Sequence, residues 1–394
     1  MIGKSKSACS GMRQRTGLTA IAAALAFIGM VQSALADSSV TLYGVIDEGI
    51  DYVNNSGGSA LVRLRDGTWD GIYGSRFGLK GSEDLGGGLK AIFRLESGFD
   101  ATNGKNLQGG RLFGRSAYVG LEDERFGTVM FGRQYDLVTD YLQPVTSNGQ
   151  FTGPFVHAGD IDNTANTYRI DNAVKYVSPS IAGLTFSGMY SFSGSTSLGT
   201  TGMWSVAAAY SHAGLNLAAV YDHFNNPGLL TNDGNFIGNT TGSAIGASGA
   251  FSYVGSPRNQ QIVGAGGSYE IGKATAGFAY TNTRFDDANG TTSSVSFDNY
   301  DIWLKYAVTP STTVGGAYIY SDGRVNYNGE HPKYHTAGLF ASYTLSKTTM
   351  LYAMGAFQQA AGDAKQADIY DYAIADASST NRQLMFRVGM NHRF

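Results

Sequence analysis

The feature that most constrains this chain is a strand pattern that recurs in pairs along almost its whole length. Each pair joins two segments of about ten residues, in which apolar and polar side chains alternate, through a short turn. There are seven such pairs, with turns at residues 83–88, 123–127, 178–183, 212–214, 270–273, 309–312 and 346–348. A single alternating segment precedes them (VTLYGVIDEGIDYV) and another ends the chain (LMFRVGMNHRF). The pattern therefore predicts sixteen antiparallel strands.

Long polar segments separate the hairpins, for example residues 225–259 and 360–381, which are rich in Gly, Asn, Asp, Ser and Thr. Loops of this length are unusual in a compact soluble domain. Short turns on one side, long loops on the other and an even strand count are typical of an outer-membrane β-barrel, which must close because hydrocarbon offers no partner to an open strand edge. We therefore expect an all-β fold, a 16-stranded antiparallel transmembrane barrel with short periplasmic turns and long external loops. A soluble chain of several β-sandwiches is the alternative.

The two faces of the strands differ in character. Phe77 and Leu79 share one face, and Arg76 and Lys80 share the other. In the next strand Arg94 lies on the charged face. Because unpaired buried charges are costly, this arrangement suits a water-filled interior better than a packed core. We expect Lys80 and Arg94 to line the lumen.

Residues 1–36 have the order of a secretory signal peptide. A basic start without acids precedes about fourteen mostly apolar residues and the sequence Ala-Leu-Ala, which predicts cleavage after Ala36. The apolar run is shorter than the roughly twenty residues of a membrane anchor. Cleavage removes Cys9, the single cysteine, so no disulfide is expected. Four of the 28 Lys and Arg residues leave and none of the 31 acids does, so 24 basic residues remain and the formal charge is −7. We therefore expect no nucleic-acid partner.

Several stretches carry a resemblance to a known family. VTLYGVIDEGIDY, SRFGLKGSEDLGGGLKA, GRSAYVGLED, FGTVMFGRQYD and the terminal HRF are similar to general diffusion porins of Gram-negative bacteria, most of all to the beta-proteobacterial branch. The likeness runs in order from Ser38 to Phe394. It implies a homotrimer among the lipids of the outer membrane, passive diffusion of small hydrophilic solutes and ions, and a third loop that folds into the channel. Residues 37–394 would form the barrel.

The resemblance places that constriction loop at residues 136–168. Its acids are candidates to face a basic wall, and the sequence leaves open which of them does so: Asp136, Asp140, Asp160 and Asp162. A disordered external loop is the alternative, but apolar residues such as Phe151 and Phe155 favour a packed one. The Pro-Glu-Phe-Gly signature of enteric relatives is absent, and GPFVHAGD stands near its place.

The same resemblance implies a basic wall opposite the loop. Arg76, Arg115 and Arg169 match arginines that the family places there, and Arg133 is a weaker candidate. Arg115 and Arg133 have the parity of the apolar face of their strands, so their inward placement depends on the resemblance alone. Such a wall implies a mild anion preference, opposite in sign to the net charge of the chain.

Other functions receive less support from the residues. The mature chain has no Gly-x-Ser-x-Gly elbow, Cys-x-x-Cys pair or phosphate-cradling loop, so we expect no catalytic residue, bound metal or cofactor. His331 and His335 are four positions apart, but Pro332 intervenes and no third ligand is in view. A solute-specific channel with a binding site in the lumen is a stronger rival, and an adhesin or structural barrel is a third possibility.

The end of the chain predicts a role in assembly. Phe394 is preceded at alternate positions by Met390, Val388, Phe386 and Leu384. This ending resembles the C-terminal signal that the outer-membrane assembly machinery recognises. Its position also suits a last strand that must pair with the first.

Overall fold

The computed structural model describes residues 38–194, 196, 200–231, 249–369 and 376–394. The predicted signal peptide lies outside the described residues. Eighteen strands occur in this part of the chain: β1 Ser39–Ser56, β2 Ser59–Asp66, β3 Arg76–Gly86, β4 Leu89–Asp100, β5 Lys105–Asn106, β6 Ser116–Asp123, β7 Gly127–Gln134, β8 Ile170–Val177, β9 Leu184–Ser191, β10 Gly202–His212, β11 Leu215–Asn225, β12 Asn259–Ile271, β13 Ala274–Asp286, β14 Val295–Ala307, β15 Thr312–Val325, β16 Pro332–Thr344, β17 Thr349–Gly362 and β18 Arg382–Arg393.

The helical segments are all short. The α-helices are α1 Gly67–Asp70, α2 Ser147–Phe151 and α3 Pro227–Leu230, and Val138–Leu142 is a single π-helical turn. The 3₁₀ turns are Gln143–Val145, Ala158–Asp160, Ala250–Tyr253 and Ala288–Gly290. Among the described residues, no helix has the length and apolar character needed to cross a membrane.

Sixteen of the strands form a closed antiparallel barrel, as the sequence predicts. All seven predicted hairpins are present. The first and last strands close the wall, with Val45 opposite Arg393 and Val53 opposite Met385. Phe394 extends this seam, because its N–H donates to the Gly44 carbonyl at 3.1 Å and its carbonyl accepts from the Gly44 N–H at 2.9 Å.

The alternation of side chains is also confirmed. In β14, Ile302 and Leu304 are each 53% exposed on the outer surface, whereas Asp301 and Trp303 are buried inside. Lys80 and Arg94 face each other across β3 and β4 on the inner side. An apolar outer belt and a polar interior are what a membrane-spanning wall requires, because lipid surrounds one face and water fills the other.

One part of the wall departs from the simple pattern. The lower half of β1 pairs with β3, from Ser39 to Val45, and its upper half pairs with β2, from Glu48 to Ser56. Between β2 and β3 the chain leaves the wall, and residues 67–74, which contain α1, turn into the lumen. We call this segment the hook. The sequence pattern predicted neither β2 nor the hook.

Candidate pore constriction

The loop between β7 and β8, residues 135–169, lies inside the barrel. We call it the inward loop. Its apolar side chains pack on the inner face of the wall in two clusters: Leu142 joins residues of β8 to β12, and Phe151 and Phe155 join Trp303 and Phe340. Phe151 and Phe155 are 0% and 1% exposed. The loop is therefore a packed element of the lumen.

Glycines in the wall make room for this packing. A Cβ atom at Gly315 would lie 2.4 Å from Cε1 of Phe151, and one at Gly338 would lie 2.6 Å from Cε1 of Phe155. Carbon atoms cannot approach so closely, so each phenyl ring occupies the space that a side chain would fill. The glycines of β15 and β16 thus form a groove that receives the tip of the inward loop.

Polar contacts fix the same tip. The carboxylate of Asp301 on β14 accepts from the backbone N–H of Ser147 at 2.7 Å and from its hydroxyl at 2.8 Å. The indole N–H of Trp303 donates to the Val145 carbonyl at 2.9 Å. These groups are buried, and a buried donor or acceptor without a partner is costly, so the contacts define one position for the loop.

A buried histidine of the inward loop makes a further contact with the wall. Nδ1 of His157 lies 2.5 Å from the Asp162 carboxylate, and Nε2 lies 3.6 Å from that of Asp301. Asp162 also accepts from the Thr281 hydroxyl at 2.5 Å. Burial alone would lower the pKa of His157, but Asp162 outweighs it and raises the pKa to about 10. The imidazole is therefore a cation between two carboxylates at neutral pH.

Three of the four predicted loop acids lie within the loop and are 0% exposed. Asp136 accepts from the Thr139 N–H at 2.8 Å, and Asp160 accepts from the Ala165 N–H at 2.7 Å. Burial raises the pKa of Asp136 to about 6 and that of Asp160 to about 7. These two carboxylates and that of Asp162 accept hydrogen bonds from N–H and O–H groups of the loop itself. Without them, these buried donors would have no partner.

Asp140 is the predicted loop acid that borders the open channel. Its carboxylate lies 2.5 Å from Nζ of Lys175 on β8, so its charge has a partner. Within the described residues, no group of three or more His, Cys, Asp or Glu side chains is placed to hold a metal ion.

The hook is held by a buried ion network that sequence reasoning missed. Nη1 of Arg387, on β18, lies 2.6 Å from Asp51 of β1 and 2.5 Å from Asp70 of α1. Its Nε donates to the Tyr352 hydroxyl at 2.8 Å, and Nη2 lies 3.7 Å from Asp47. Arg387, Asp51 and Asp70 have side chains that are 0% exposed. The inward parity of Arg387, Asp47 and Asp51 was the available signal.

The hook, the inward loop and the wall of β1, β3 and β4 enclose a cavity of about 770 Å³. Its lining includes three of the predicted arginines, Arg76, Arg115 and Arg169, together with Arg94 and Arg393. Arg133 is placed differently: its Nε donates to the Gly114 carbonyl at 2.7 Å, and Nη1 lies 2.6 Å from Asp171.

Arg115 faces inward although its parity suggested the outer face. It precedes the first residue of β6, so the alternation of inward and outward side chains in that strand does not apply to it. Its Nε lies 2.8 Å from Glu96, and Nη2 donates to the Tyr135 hydroxyl at 2.8 Å. Glu96 also accepts from the Tyr43 hydroxyl at 2.8 Å.

Each of three tyrosine rings in this region makes cation–π contacts with two basic side chains. Lys80 and Arg94 lie 5.5 and 6.0 Å from the centroid of Tyr43. Arg76 and Arg393 lie 5.9 and 4.5 Å from that of Tyr73, and Arg115 and Arg169 lie 6.0 and 5.1 Å from that of Tyr135. We call these nine residues the tyrosine–cation cluster. Each contact stabilises by about 0.5–2 kcal/mol, so the rings hold the cations in place without neutralising them.

The central ring, Tyr135, lies next to two guanidinium groups. Burial by itself would raise the pKa of Tyr135, but the guanidinium groups of Arg115 and Arg169 outweigh burial and lower the pKa below its ordinary value. A depressed phenol pKa requires a positive surrounding potential. Arg115 and Arg169 therefore place positive charge on this side of the cavity.

A closed barrel with an apolar outer face, a polar lumen and a loop packed inside it defines a transmembrane channel with a constriction. The chain matches the family described as Gram-negative porin over residues 18–363 and belongs to that family. It is therefore a channel of the outer membrane of a Gram-negative bacterium, through which small solutes diffuse passively.

Individual relatives agree with this assignment. An outer membrane porin protein of Bordetella pertussis is 31% identical over 422 aligned positions, which cover 95% of this chain and 99% of that protein. Outer membrane porin protein 32 of Delftia acidovorans is 37% identical over 185 residues, 45% of this chain and 50% of the relative. The solved structure of an anion-selective porin from Comamonas acidovorans has a TM-score of 0.72 and 24% identity, and the likeness covers 91% of this chain and all of that one.

Proposed function

We propose that the channel passes small hydrophilic solutes and ions without catalysis and with a mild preference for anions. The observation that carries the preference is the tyrosine–cation cluster on one side of the constriction. A permeating ion about 10 Å from one arginine in water-like surroundings feels ~0.4 kcal/mol. Several arginines add to this, whereas salt screens it over a Debye length of ~10 Å at 0.1 M. The preference should therefore be a few-fold and should shrink as the salt concentration rises.

Reversal potentials in a KCl gradient test this preference. The double variant Arg76→Ser with Arg94→Ser removes two cations that have no carboxylate within 4.0 Å in the described part of the chain. Arg115 is unsuitable, because its loss would leave the buried Glu96 carboxylate without its cation. We expect the reversal potential to shift toward cation preference. Arg258→Ser, in a side chain that is 72% exposed, is the matched control. An unchanged potential in the double variant would contradict the proposal.

We further propose that the protein forms a homotrimer in the outer membrane through strands β1 to β7, assisted by residues 100–110. Leu42, Phe77 and Leu79 are exposed on this side, and they offer an apolar surface for a second copy. A solved structure of an outer membrane protein of Vibrio cholerae, with a TM-score of 0.65 and 16% identity, is described as a trimer form. Native mass measurement in mild detergent tests this assembly, and a monomer alone would exclude it.

Export would use residues 1–36 as a cleaved signal peptide, followed by recognition of the C-terminal Phe394 by the assembly machinery. The basic start, the short apolar run and Ala-Leu-Ala support cleavage after Ala36. The intact mass of protein purified from outer membranes provides the test. A mature chain that does not begin at Asp37 would refute this site.

A further inference from the structure

We propose that a groove on the outer surface of the barrel binds the acyl chains of a phosphorylated glycolipid of the outer leaflet, and that this lipid supports the part of the wall on which the inward loop packs. The groove lies on the outer face of β14 to β18. Such a site is independent of the proposed anion preference, and it requires only that the barrel lies in the outer membrane.

The groove is a concave apolar region of about 1270 Å³, which we call the outer groove. Its floor is low at two outward glycines, Gly316 of β15 and Gly355 of β17, which are the cross-strand neighbours of Leu339 on β16. Leu339 is 74% exposed. Leu304 and Phe386 pair with the two glycines on their other sides and form the rims. The outer groove therefore consists of two depressions with Leu339 between them, and its lining also includes three small side chains: Ala337, Ala341 and Ala353.

This shape suits two acyl chains, one on each side of Leu339. Lipid tails are as apolar as these side chains, so contact between them depends on van der Waals packing and not on the exclusion of water. A chain that lies in a depression has protein atoms on three sides and makes more close contacts than it would on a smooth wall. The outer groove therefore favours an ordered lipid over the surrounding ones.

A row of aromatic side chains crosses the outer face on the long-loop side of the outer groove. The ring centroids of Tyr280 and Tyr300 lie 5.2 Å apart, those of Tyr300 and Tyr320 lie 6.1 Å apart, and those of Tyr320 and His335 lie 4.9 Å apart. The Tyr280 hydroxyl donates to Asp298 at 2.6 Å, so this carboxylate already has a donor. Aromatic rows of this kind mark the boundary between acyl chains and headgroups. Polar groups at and beyond the row therefore lie at headgroup depth.

Exposed cations lie at this depth. Arg382 comes two residues before Leu384 of the outer groove on the same face of β18, and Arg324 lies on the outward face of β15. Neither has a carboxylate within 4.0 Å in the described part of the chain. Lys333 is a third cation, with Asp322 at 3.8 Å. Because Arg and Lys at a membrane surface attract anionic headgroups, these side chains favour a phosphorylated lipid whose chains extend into the outer groove.

The outer groove and the anchor of the inward loop share one thin wall. Gly315 faces inward, where the ring of Phe151 occupies the space of a side chain, and Gly316 faces outward into the outer groove. In the next strand the inward Gly338 makes the same room for Phe155. Only backbone therefore separates the loop tip from the floor of the outer groove. Glycine weakens a strand because it offers no side chain for packing, so acyl chains on the outer face should limit the movement of this wall and of the loop behind it.

Photolabelling of the wild-type protein tests the site directly. Barrel refolded without lipid A is mixed in mild detergent with lipid A, a phosphorylated glycolipid, that carries a photoreactive group in one acyl chain. After irradiation and digestion, we expect the labels to concentrate in β15 to β17, around Leu339. Unlabelled lipid A should compete roughly tenfold better than its dephosphorylated form, because only lipid A offers phosphates to the cations. Labels spread evenly over the outer strands, or equal competition by both forms, would overturn the proposal.

A double variant fills the outer groove without changing its polarity. Ala337→Leu with Ala341→Leu places larger apolar side chains in the depressions. We expect labelling by lipid A to fall several-fold. The matched control is Ala219→Leu with Ala276→Leu, at exposed positions of β11 and β13 outside the outer groove, which should be labelled as the wild type is. Unchanged labelling of the double variant would overturn the proposal. Loss of trimer mass with unchanged labelling would do so too and would assign the outer groove to a second copy of the chain.

Single-channel recording tests the support of the inward loop. Wild-type channels are recorded in phosphatidylethanolamine bilayers with and without lipid A in one leaflet. We expect smaller current fluctuations with lipid A, whereas the double variant that fills the outer groove should respond less to it. Equal fluctuations of the wild-type current in both bilayers would refute the support of the loop.

The site and the proposed function fail separately. Absence of anion preference in KCl would refute the proposed function and leave the lipid site standing. Photolabelling without a preferred position would refute the lipid site and leave the proposed function standing. If the double variant fails to fold, photolabelling of the wild type still decides.

Discussion

Arg387 on the last strand and Asp70 on the hook lie 2.5 Å apart, Nη1 to Oδ1, although 317 positions separate them in the chain. The same nitrogen lies 2.6 Å from Asp51 on the first strand. One side chain therefore joins the two strands that close the barrel to the segment that narrows its lumen. Closure of the seam and placement of the hook depend on each other.

Arg387→Met should destabilise the barrel strongly. It leaves Asp47, Asp51 and Asp70 buried with one cation fewer, and breaking a buried pair costs about 3–5 kcal/mol. We expect a lower thermal midpoint of barrel unfolding, measured by the heat-induced mobility shift on gels. Arg382→Met, on the exposed start of the same strand, is the control. Equal midpoints for the two variants would show that the network does not stabilise the fold.

Gly338→Val should displace the inward loop without opening the barrel. Its Cβ would lie 2.6 Å from the ring of Phe155, and overpacking of this kind costs about 1–3 kcal/mol. We expect larger fluctuations of the single-channel current and an altered mean conductance. Gly188→Val on β9, whose Cβ would have no neighbour closer than 3.9 Å, should behave as wild type. If the current through the Gly338→Val channel fluctuates no more than that of the wild type, the packing argument is wrong.

The loop anchor at His157 should weaken in alkali. The pKa of His157 is about 10 in the folded protein, above its ordinary value of 6.5, so its contribution is complete below pH 6.5 and is lost as the pH rises through 10. The pKa of Asp162 is lowered: burial opposes the shift, but His157 outweighs it. The stabilisation that ionised Asp162 contributes therefore persists into acidic pH. It is lost only as the pH falls through the lowered pKa of Asp162.

Current fluctuations measured at pH 8 and pH 10.5 test this anchor. We expect them to increase at the higher pH in the wild type. His157→Gln, which cannot be charged, should show increased fluctuations at both values. A wild-type channel that is equally quiet at both pH values would exclude a titrating anchor.

Deletion of Phe394 should reduce the yield of folded barrel much more than Phe394→Tyr does. The deletion removes two backbone hydrogen bonds to Gly44 as well as the terminal aromatic ring. A tyrosine at this position keeps the two hydrogen bonds and an aromatic ring. Heat-modifiable protein in the outer membrane is the measure of yield. Similar yields from the two variants would show that neither the seam contact nor the terminal ring matters for assembly.

The strand pattern was available from the sequence because it is local. Alternation with period two follows from the geometry of a single strand, and the turns are marked by residues next to one another. The seven hairpins, the outward Phe77 and Leu79 and the inward Lys80 could therefore be predicted without knowledge of any distant contact. The closing of the barrel followed from the lack of partners for a strand edge in hydrocarbon.

Only the tertiary structure decided what the lumen contains. Arg115 does not follow the predicted alternation of side chains because it lies outside β6, and strand geometry does not apply there. Asp136 and Asp160 are buried inside the inward loop and Asp140 borders the channel, a difference that depends on which face of the loop meets the wall. The hook, and the pairing of Arg387 with Asp70, join segments from opposite ends of the chain. Such contacts depend on how the whole barrel brings elements together, and no local pattern of residues specifies them.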